Sequence, residues 1–172
     1  MYSNLRSLIF KLDPEKAHTL AIQSLKFNLV SNVFDENKND PIFKTQIFGK
    51  DLSNPIGIAA GFDKNAEVIN EIHFLNFGFT EVGTITPTPQ YGNPKPRVFR
   101  LEKDKAIINR NGFNNLGMLE AKKKLEHYRK KFPVGSDFLV GINIGPNKDS
   151  KDRFSDYKVL AKNLSKFADY IS

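Results

Sequence analysis

The chain has 172 residues, 40% of them hydrophobic and 26% charged, with 26 basic against 19 acidic side chains and a net charge of +7. That length allows one domain, or one domain with a small appendage. The absence of cysteine excludes disulfides and thiolate chemistry, and the positive charge admits anionic partners without naming one.

The chain opens with an apolar stripe, Leu5, Leu8, Ile9 and Leu12 at i, i+3, i+4, i+7, with Arg6 and Lys11 off it. A second helix starts at Asp13-Pro14-Glu15, an N-cap followed by a first-turn proline and an acid at the positive end of the dipole. Its stripe is Ala17, Leu20, Ala21 and Leu25. Residues 31–41 are polar and turn-rich and read as a linker. No apolar run reaches the roughly 18 residues of a spanning helix, and Lys11, Asp13 and Glu15 interrupt any signal-peptide core.

After the linker the pattern alternates. Residues 44–61 suggest a short hairpin and then a buried strand. Residues 67–78 suggest a helix ending at Gly78, 79–87 a strand, and 97–110 a pair of polar-edged strands. A helix is expected over 115–132, a strand buried on both faces over 137–145, a helix over 155–170 with Ser155 or Asp156 near its cap, and a further strand from Tyr170. Alternating strands and helices argue for an α/β fold built on a parallel sheet or barrel. About 130 residues follow the linker, roughly half of the ~250 a (β/α)8 TIM barrel needs.

The strand ends carry the special residues. In "GIAAGFDKN" (57–65), Ala59, Ala60 and Gly61 let a flat ligand approach the backbone. Lys64 there could neutralise a carboxylate or an electron-rich ring edge; the plain alternative is a tight turn with a solvated lysine. In "EVGTITP" (81–87), Thr84 either bonds a ring edge or fills a layer of the sheet, and Glu81 reads as a satisfied structural carboxylate before a catalytic base. "NRNGFNN" (109–115) places four amides within seven residues, a supply of flat donors and acceptors suited to a planar amide heterocycle; the alternative is an ordered Asx-rich turn. Arg110 serves a carboxylate or holds the loop. In "GINIGPNKD" (141–149), Asn143 sits between isoleucines, and a buried amide must find partners. Pro146 stands where a phosphate loop needs its second glycine, and no GxGxxG occurs, so nucleotide fingerprints are rejected. His18, His73 and His127 fall on three different predicted helices and suggest no metal site. The basic run 122–131 fans around a helix and reads as solvated surface, not a nucleic-acid patch.

Together, "LDPEKAH" (12–18), "NPIGIAAGFDKN" (54–65), "EVGTITPTPQYGNPKPRVFRL" (81–101), "INRNGFNNLG" (108–117) and "GINIGPNKD" (141–149) resemble the quinone-linked (class 2) dihydroorotate dehydrogenases, over essentially the whole chain. The class 1 relatives lack the N-terminal helices and carry a different stretch where this chain has "NGFNN". The resemblance implies an FMN enzyme of pyrimidine biosynthesis that oxidises dihydroorotate to orotate and passes electrons to a membrane quinone. It implies that residues 1–40 form a helical membrane and quinone-access extension and that 41–172 form the N-terminal half of an FMN-binding barrel. Ala60, Gly61, Phe62, Asp63 and Lys64 would meet the flavin, and Thr84 and Asn143 would bond its ring system. Lys64, Asn109, Arg110, Asn111 (through its backbone), Gly112 and Phe113 would hold orotate. The serine that removes the C5 proton lies beyond Ser172, which occupies an earlier strand position and does not take that role. The expectation is therefore a chain truncated before its catalytic base and inactive alone, with a possible complementary downstream fragment. It would sit peripherally on the cytoplasmic face of a bacterial inner membrane, or on the inner membrane of an organelle. Two alternatives stand beside it: another flavin barrel, such as a tRNA-dihydrouridine synthase, and a non-catalytic membrane-surface module.

Overall fold

The computed structural model describes residues 2–29 and 41–172, with side chains from residue 6 onward. The expected linker therefore lies outside the described residues, apart from Pro41. Helix α1 (Tyr2–Ile9) turns into α2 (Pro14–Lys26), which begins where its sequence dictates. The Asp13 carboxylate accepts from the N–H groups of Glu15 and Lys16 at 3.1 and 3.0 Å, and so satisfies two first-turn donors. The buried face of α2 agrees with the expected stripe only in part: Leu25 is buried and Ala17 and Ala21 are partly buried. Ile22 and Leu25 enter the core, whereas Leu20 stays 55% exposed. Ile22 joins Leu25 as the apolar contact with the core, and Leu20 is left beside solvent like Leu8 and Leu12.

A hairpin of β1 (Thr45–Ile47) and β2 (Lys50–Leu52) leads to the main sheet. That sheet contains β3 (Gly57–Ile58), β4 (Phe79–Ile85), β7 (Leu139–Ile144) and β8 (Tyr170–Ile171), in the order β3-β4-β7-β8. All neighbouring pairs are parallel, as strands joined through helices must be. Those helices are α3 (Ile69–Phe74), α4 (Gly117–Lys131) and α5 (Arg153–Leu164). The second hairpin, β5 (Val98–Leu101) with β6 (Ala106–Asn109), interrupts the alternation between β4 and α4.

The sheet packs one face against the helices. Val82, Ile85, Val140 and Ile142 meet Ile69, Ile72, Leu125, Leu160 and Leu164 in a single core cluster. Burying each such side chain is worth about 1.5–3 kcal/mol. The other face carries a polar row, because Glu81 pairs in register with Gly141 and Gly141 with Tyr170. Two helices, α5 and α3, differ from expectation at their boundaries. Helix α5 begins two residues earlier than expected, at Arg153, and Ser155 lies near its cap as expected: the Asp152 carboxylate caps the helix and accepts from Ser155 N at 3.0 Å. Asp156 instead accepts from Asn147 N at 3.0 Å and fixes the loop before the helix. The α-helix also stops at Leu164 and tightens into a 3₁₀ turn, Ser165–Phe167. Helix α3 is confined to six residues because the Asp63 side chain organises the backbone just before it.

Asp169 closes the N-terminal end of the sheet. Its side chain has no solvent exposure. It accepts from Lys50 Nζ and Arg129 Nη2, each at 2.6 Å, and from the N–H groups of Gly135 and Val140 at 2.8 and 2.9 Å. Burial alone would raise its carboxyl pKa; Lys50, the Val140 N–H and Arg129 outweigh that and hold it below the usual range.

The N-terminal helices are fastened to the β5–β6 region by two arginines. Arg97 is buried and directs Nε and Nη2 at Glu15 Oε1 (3.1 and 2.7 Å), while Nη1 donates to the carbonyls of Tyr91 and Asn93. Arg100 donates to the Leu12 carbonyl at 2.7 Å and lies 4.8 Å from the Phe10 ring. Lys26 adds an ion pair with Glu67.

Candidate functional site

In an open parallel sheet the chemistry collects beyond the C-terminal ends of the strands. Three of the expected segments meet there. The turn after β3 is tied to β4 by Gly61 N–H donating to Gly83 O at 2.8 Å and Gly83 N–H donating to Asp63 O at 3.0 Å. Gly83 has φ +112, and a Cβ there would stand 2.4 Å from Asn143 O, so β4 and β7 approach too closely for any side chain. Gly61 has φ +99, and a Cβ there would meet nothing within 4 Å, so the space before this turn is open.

Of the five residues expected in that turn, Asp63 plays a different part from Lys64. The Asp63 carboxylate is buried and accepts from Glu67 N at 2.7 Å and Val68 N at 2.9 Å. Burial pushes its pKa up, against the opposing pull of those two N–H groups. It therefore shapes the turn from below and leaves only its backbone toward the open side. Lys64 is half-buried and donates to Gly61 O at 2.5 Å. Burial pulls its pKa down; Glu15 opposes this and Arg97 adds to it. A desolvated ammonium with one backbone partner is a receptive group for an anion.

Thr84 and Asn143 stand side by side at the ends of β4 and β7. Thr84 Oγ1 donates to Asn143 Oδ1 at 2.5 Å, and Asn143 Nδ2 donates to Glu81 Oε1 at 3.1 Å and Ser172 Oγ at 2.8 Å. Glu81 also accepts from Tyr170 OH and Ser172 Oγ at 3.1 and 2.7 Å. The expectation that Glu81 is a satisfied carboxylate agrees with these contacts.

The loop 109–115 divides its amides between two tasks. Asn115 is buried. It accepts from Thr86 N and Gly117 N and donates to Thr86 Oγ1 and Phe113 O, which pins the loop to the end of β4. Asn109 is exposed and makes only long contacts, 3.3–3.4 Å, with Asn111. Asn111 also gives its carbonyl to Asn93 N. Gly112 and Phe113 have φ +71 and +52, which turn the loop sharply, and Phe113 is 55% exposed. Arg110 holds the hairpin rather than pointing at an anion: Nη2 donates to Pro96 O at 3.1 Å and the guanidinium lies 5.9 Å from the Phe99 ring.

Two residues that carry the loop were not foreseen. Gln90 Nε2 donates to the carbonyls of Gly112 and Phe113, and its Oε1 accepts from Asn147 Nδ2 and Lys148 N. Asn93 donates to Arg110 O at 2.7 Å. The available signal was their position in the proline-rich segment 86–96, whose residues cannot continue a strand and must bond elsewhere. The three histidines remain scattered, and the described residues contain no cluster of metal-ligand type. A groove of about 710 Å³ between α3 and α4, lined by Glu71, Lys123, His127 and Lys131 among others, lies on the helix side and shares no residue with the site.

The family model for dihydroorotate dehydrogenase matches residues 42–172. The protein named dihydroorotate dehydrogenase (quinone) from Bartonella henselae is 50% identical over 97% of this chain and 44% of its own length. Its namesake from Erythrobacter litoralis is 43% identical over 100% of this chain and 48% of its own length. Among solved structures, that of DHODH in complex with ferulenol from Eimeria tenella superposes with a TM-score of 0.81 at 42% identity, covering 92% of this chain and 43% of that one. The chain thus spans about half the length of the relatives it matches.

Proposed function

Since the chain belongs to the dihydroorotate dehydrogenase family, we propose that it forms the flavin- and substrate-facing part of a quinone-linked dihydroorotate dehydrogenase. The observation that carries this reading is the open turn 60–64 with one desolvated ammonium, Lys64, at the strand ends where Thr84 and Asn143 pair and keep lone pairs to spare. The four parallel strands would be the first four of a (β/α)8 barrel, with the N-terminal helices outside it.

The residues present fit FMN. A flat ring needs a backbone surface without side chains, and Gly61 faces open space. Bound there, FMN would take the hydride from dihydroorotate and later give electrons to a quinone. Ala60, Gly61, Phe62 and Asp63 would line the ring with backbone, and Thr84 and Asn143 would bond its edge. Lys64 would oppose the carboxylate of the substrate and the electron-rich edge of the flavin. Asn109, whose amide has weak partners, and the backbone of Asn111, Gly112 and Phe113 would hold the pyrimidine. Arg110 would act by stiffening the hairpin, in keeping with its bond to Pro96.

The exposed leucines at 8, 12 and 20, with Phe27 and Leu29, support peripheral attachment of the helices to a membrane, where a quinone would enter. No described helix is long and apolar enough to cross one. The test is anaerobic mixing of the flavin-loaded full-length polypeptide that carries this chain with dihydroorotate, then with a soluble quinone. Bleaching of the flavin followed by recovery of its colour is expected. A bound flavin that dihydroorotate leaves oxidised would refute the activity.

A further inference from the structure

The amide of Asn143 has little freedom left. Its two N–H bonds go to Glu81 Oε1 and Ser172 Oγ, and its oxygen already accepts the Thr84 hydroxyl. An asparagine amide can turn over and exchange its oxygen and nitrogen, and the surrounding partners decide which orientation is held. Here the decision rests on Glu81. Its carboxylate oxygens receive three donors: Asn143 Nδ2, Tyr170 OH and Ser172 Oγ. Turning the amide over would set Asn143 Oδ1 against Glu81 Oε1, two acceptors with no proton between them. The Ser172 hydroxyl, having given its proton to Glu81, can only accept from Asn143. Burial and the neighbouring Glu81 push the Tyr170 phenol pKa up, so Tyr170 keeps its proton and stays a donor.

The consequence appears at the end of the chain of bonds. Thr84 has spent its only proton on Asn143, and both N–H bonds of Asn143 are engaged. What the pair can still offer a ligand is lone pairs only, on Asn143 Oδ1 and Thr84 Oγ1. We propose that Glu81 is a positioning residue that locks the Asn143 amide, so that Asn143 and Thr84 select a ring N–H and reject a ring edge that presents acceptors alone. The inference rests on the flavin-binding reading and deepens it. In oxidised isoalloxazine the only ring N–H is that of N3, so this is the atom the pair would receive.

The probes are FMN and 3-methyl-FMN, which replaces that N–H by N–CH₃, titrated by flavin fluorescence into the polypeptide that carries this chain. A site built around one hydrogen bond rejects the analogue that lacks it, because its acceptor is left unpaired and the methyl group intrudes. FMN should bind about ten- to a hundredfold more tightly than the methylated flavin. Glu81→Gln keeps an acceptor for Asn143 and should preserve most of that ratio. Glu81→Leu removes every acceptor, frees the amide and should shrink the ratio to the part that the intruding methyl group alone supplies. A merely structural glutamate would instead weaken both flavins equally in the leucine variant and leave the ratio intact, which overturns the proposal. Equal binding of the two flavins by the unaltered protein also overturns it, and that comparison stands even if a variant fails to fold. Failure of the unaltered protein to bind FMN at all would sink the functional reading along with it.

Discussion

The two ends of the same four-stranded sheet use their polar groups in opposite ways. At the N-terminal end, Asp169 is sealed from solvent and receives four donors from Lys50, Arg129, Gly135 and Val140. At the C-terminal end, Lys64 has one backbone partner, Asn109 has weak ones, and Gly61 faces open space. A buried charge with all its partners locks chain segments together. A half-buried charge with few partners costs stability and keeps its affinity for something that arrives from outside. The difference separates an end whose polar groups are spent on holding the fold from an end that keeps polar groups to spare.

The sharpest way to break that contrast is at Asp169. Asp169→Ala takes the carboxylate partner from the almost fully buried Arg129 guanidinium, which keeps only backbone carbonyls, and leaves two N–H groups without their acceptor. The expected loss of stability in denaturant unfolding is about 3–5 kcal/mol. A loss under about 1 kcal/mol would mean that the N-terminal end is no better fastened than the other. The same residue sets an acid limit. Its carboxyl pKa is lower in the folded chain than in the unfolded chain, so its contribution is complete above the unfolded value near ~4 and disappears as pH falls through the folded value. The stability gap between parent and Asp169→Ala should therefore shrink below about pH 4 and stay constant from there to neutrality.

Lys64→Met tests the other end. Removing a charge that burial disfavours should leave the melting temperature of the ligand-free protein equal or higher. Orotate affinity should nevertheless fall by about ten- to a hundredfold, the worth of a charge-assisted bond. Lower stability with unchanged orotate binding would reverse the assignment of the two ends. The smallest effect is expected at Asn109→Ala, where titration calorimetry should show orotate binding weakened about five- to tenfold. Unfolding should stay within ~0.5 kcal/mol of the parent, as for an exposed side chain.

The C-terminal end of the sheet was far more legible in the sequence than the N-terminal end. Its residues lie in short contiguous stretches, and small residues, a lysine and clustered amides mark where a strand stops and a ligand can begin. Asp169 gives no such sign, because its partners come from separate segments, with Lys50 119 residues away along the chain. The asparagine cluster was legible as a cluster but not in its parts. Composition does not tell that Asn115 turns inward to fasten the loop while Asn109 stays exposed, since both follow from the turn at Gly112 and Phe113. Periodicity likewise located α2 and placed Leu25 on its buried face, but it missed Ile22 and counted Leu20. Leu20 and Leu25 share a helical stripe, and only the docking through Glu15 and Arg97 decides which part of the helix the body covers.

In the polar row across the sheet, Tyr170 reaches Glu81 by passing over Gly141, and a Cβ at residue 141 would lie 2.2 Å from the Tyr170 ring. The glycine and the tyrosine are therefore one inherited unit, not two independent choices. A methyl group at 141 is admissible only in a chain whose residue 170 has given up its ring, and that chain would also have lost one of the donors that hold Glu81. Neither change can precede the other without loss: alanine first collides with the ring, and a small residue at 170 first opens a void beside an underbonded carboxylate. The pair should be passed down intact or exchanged in one step.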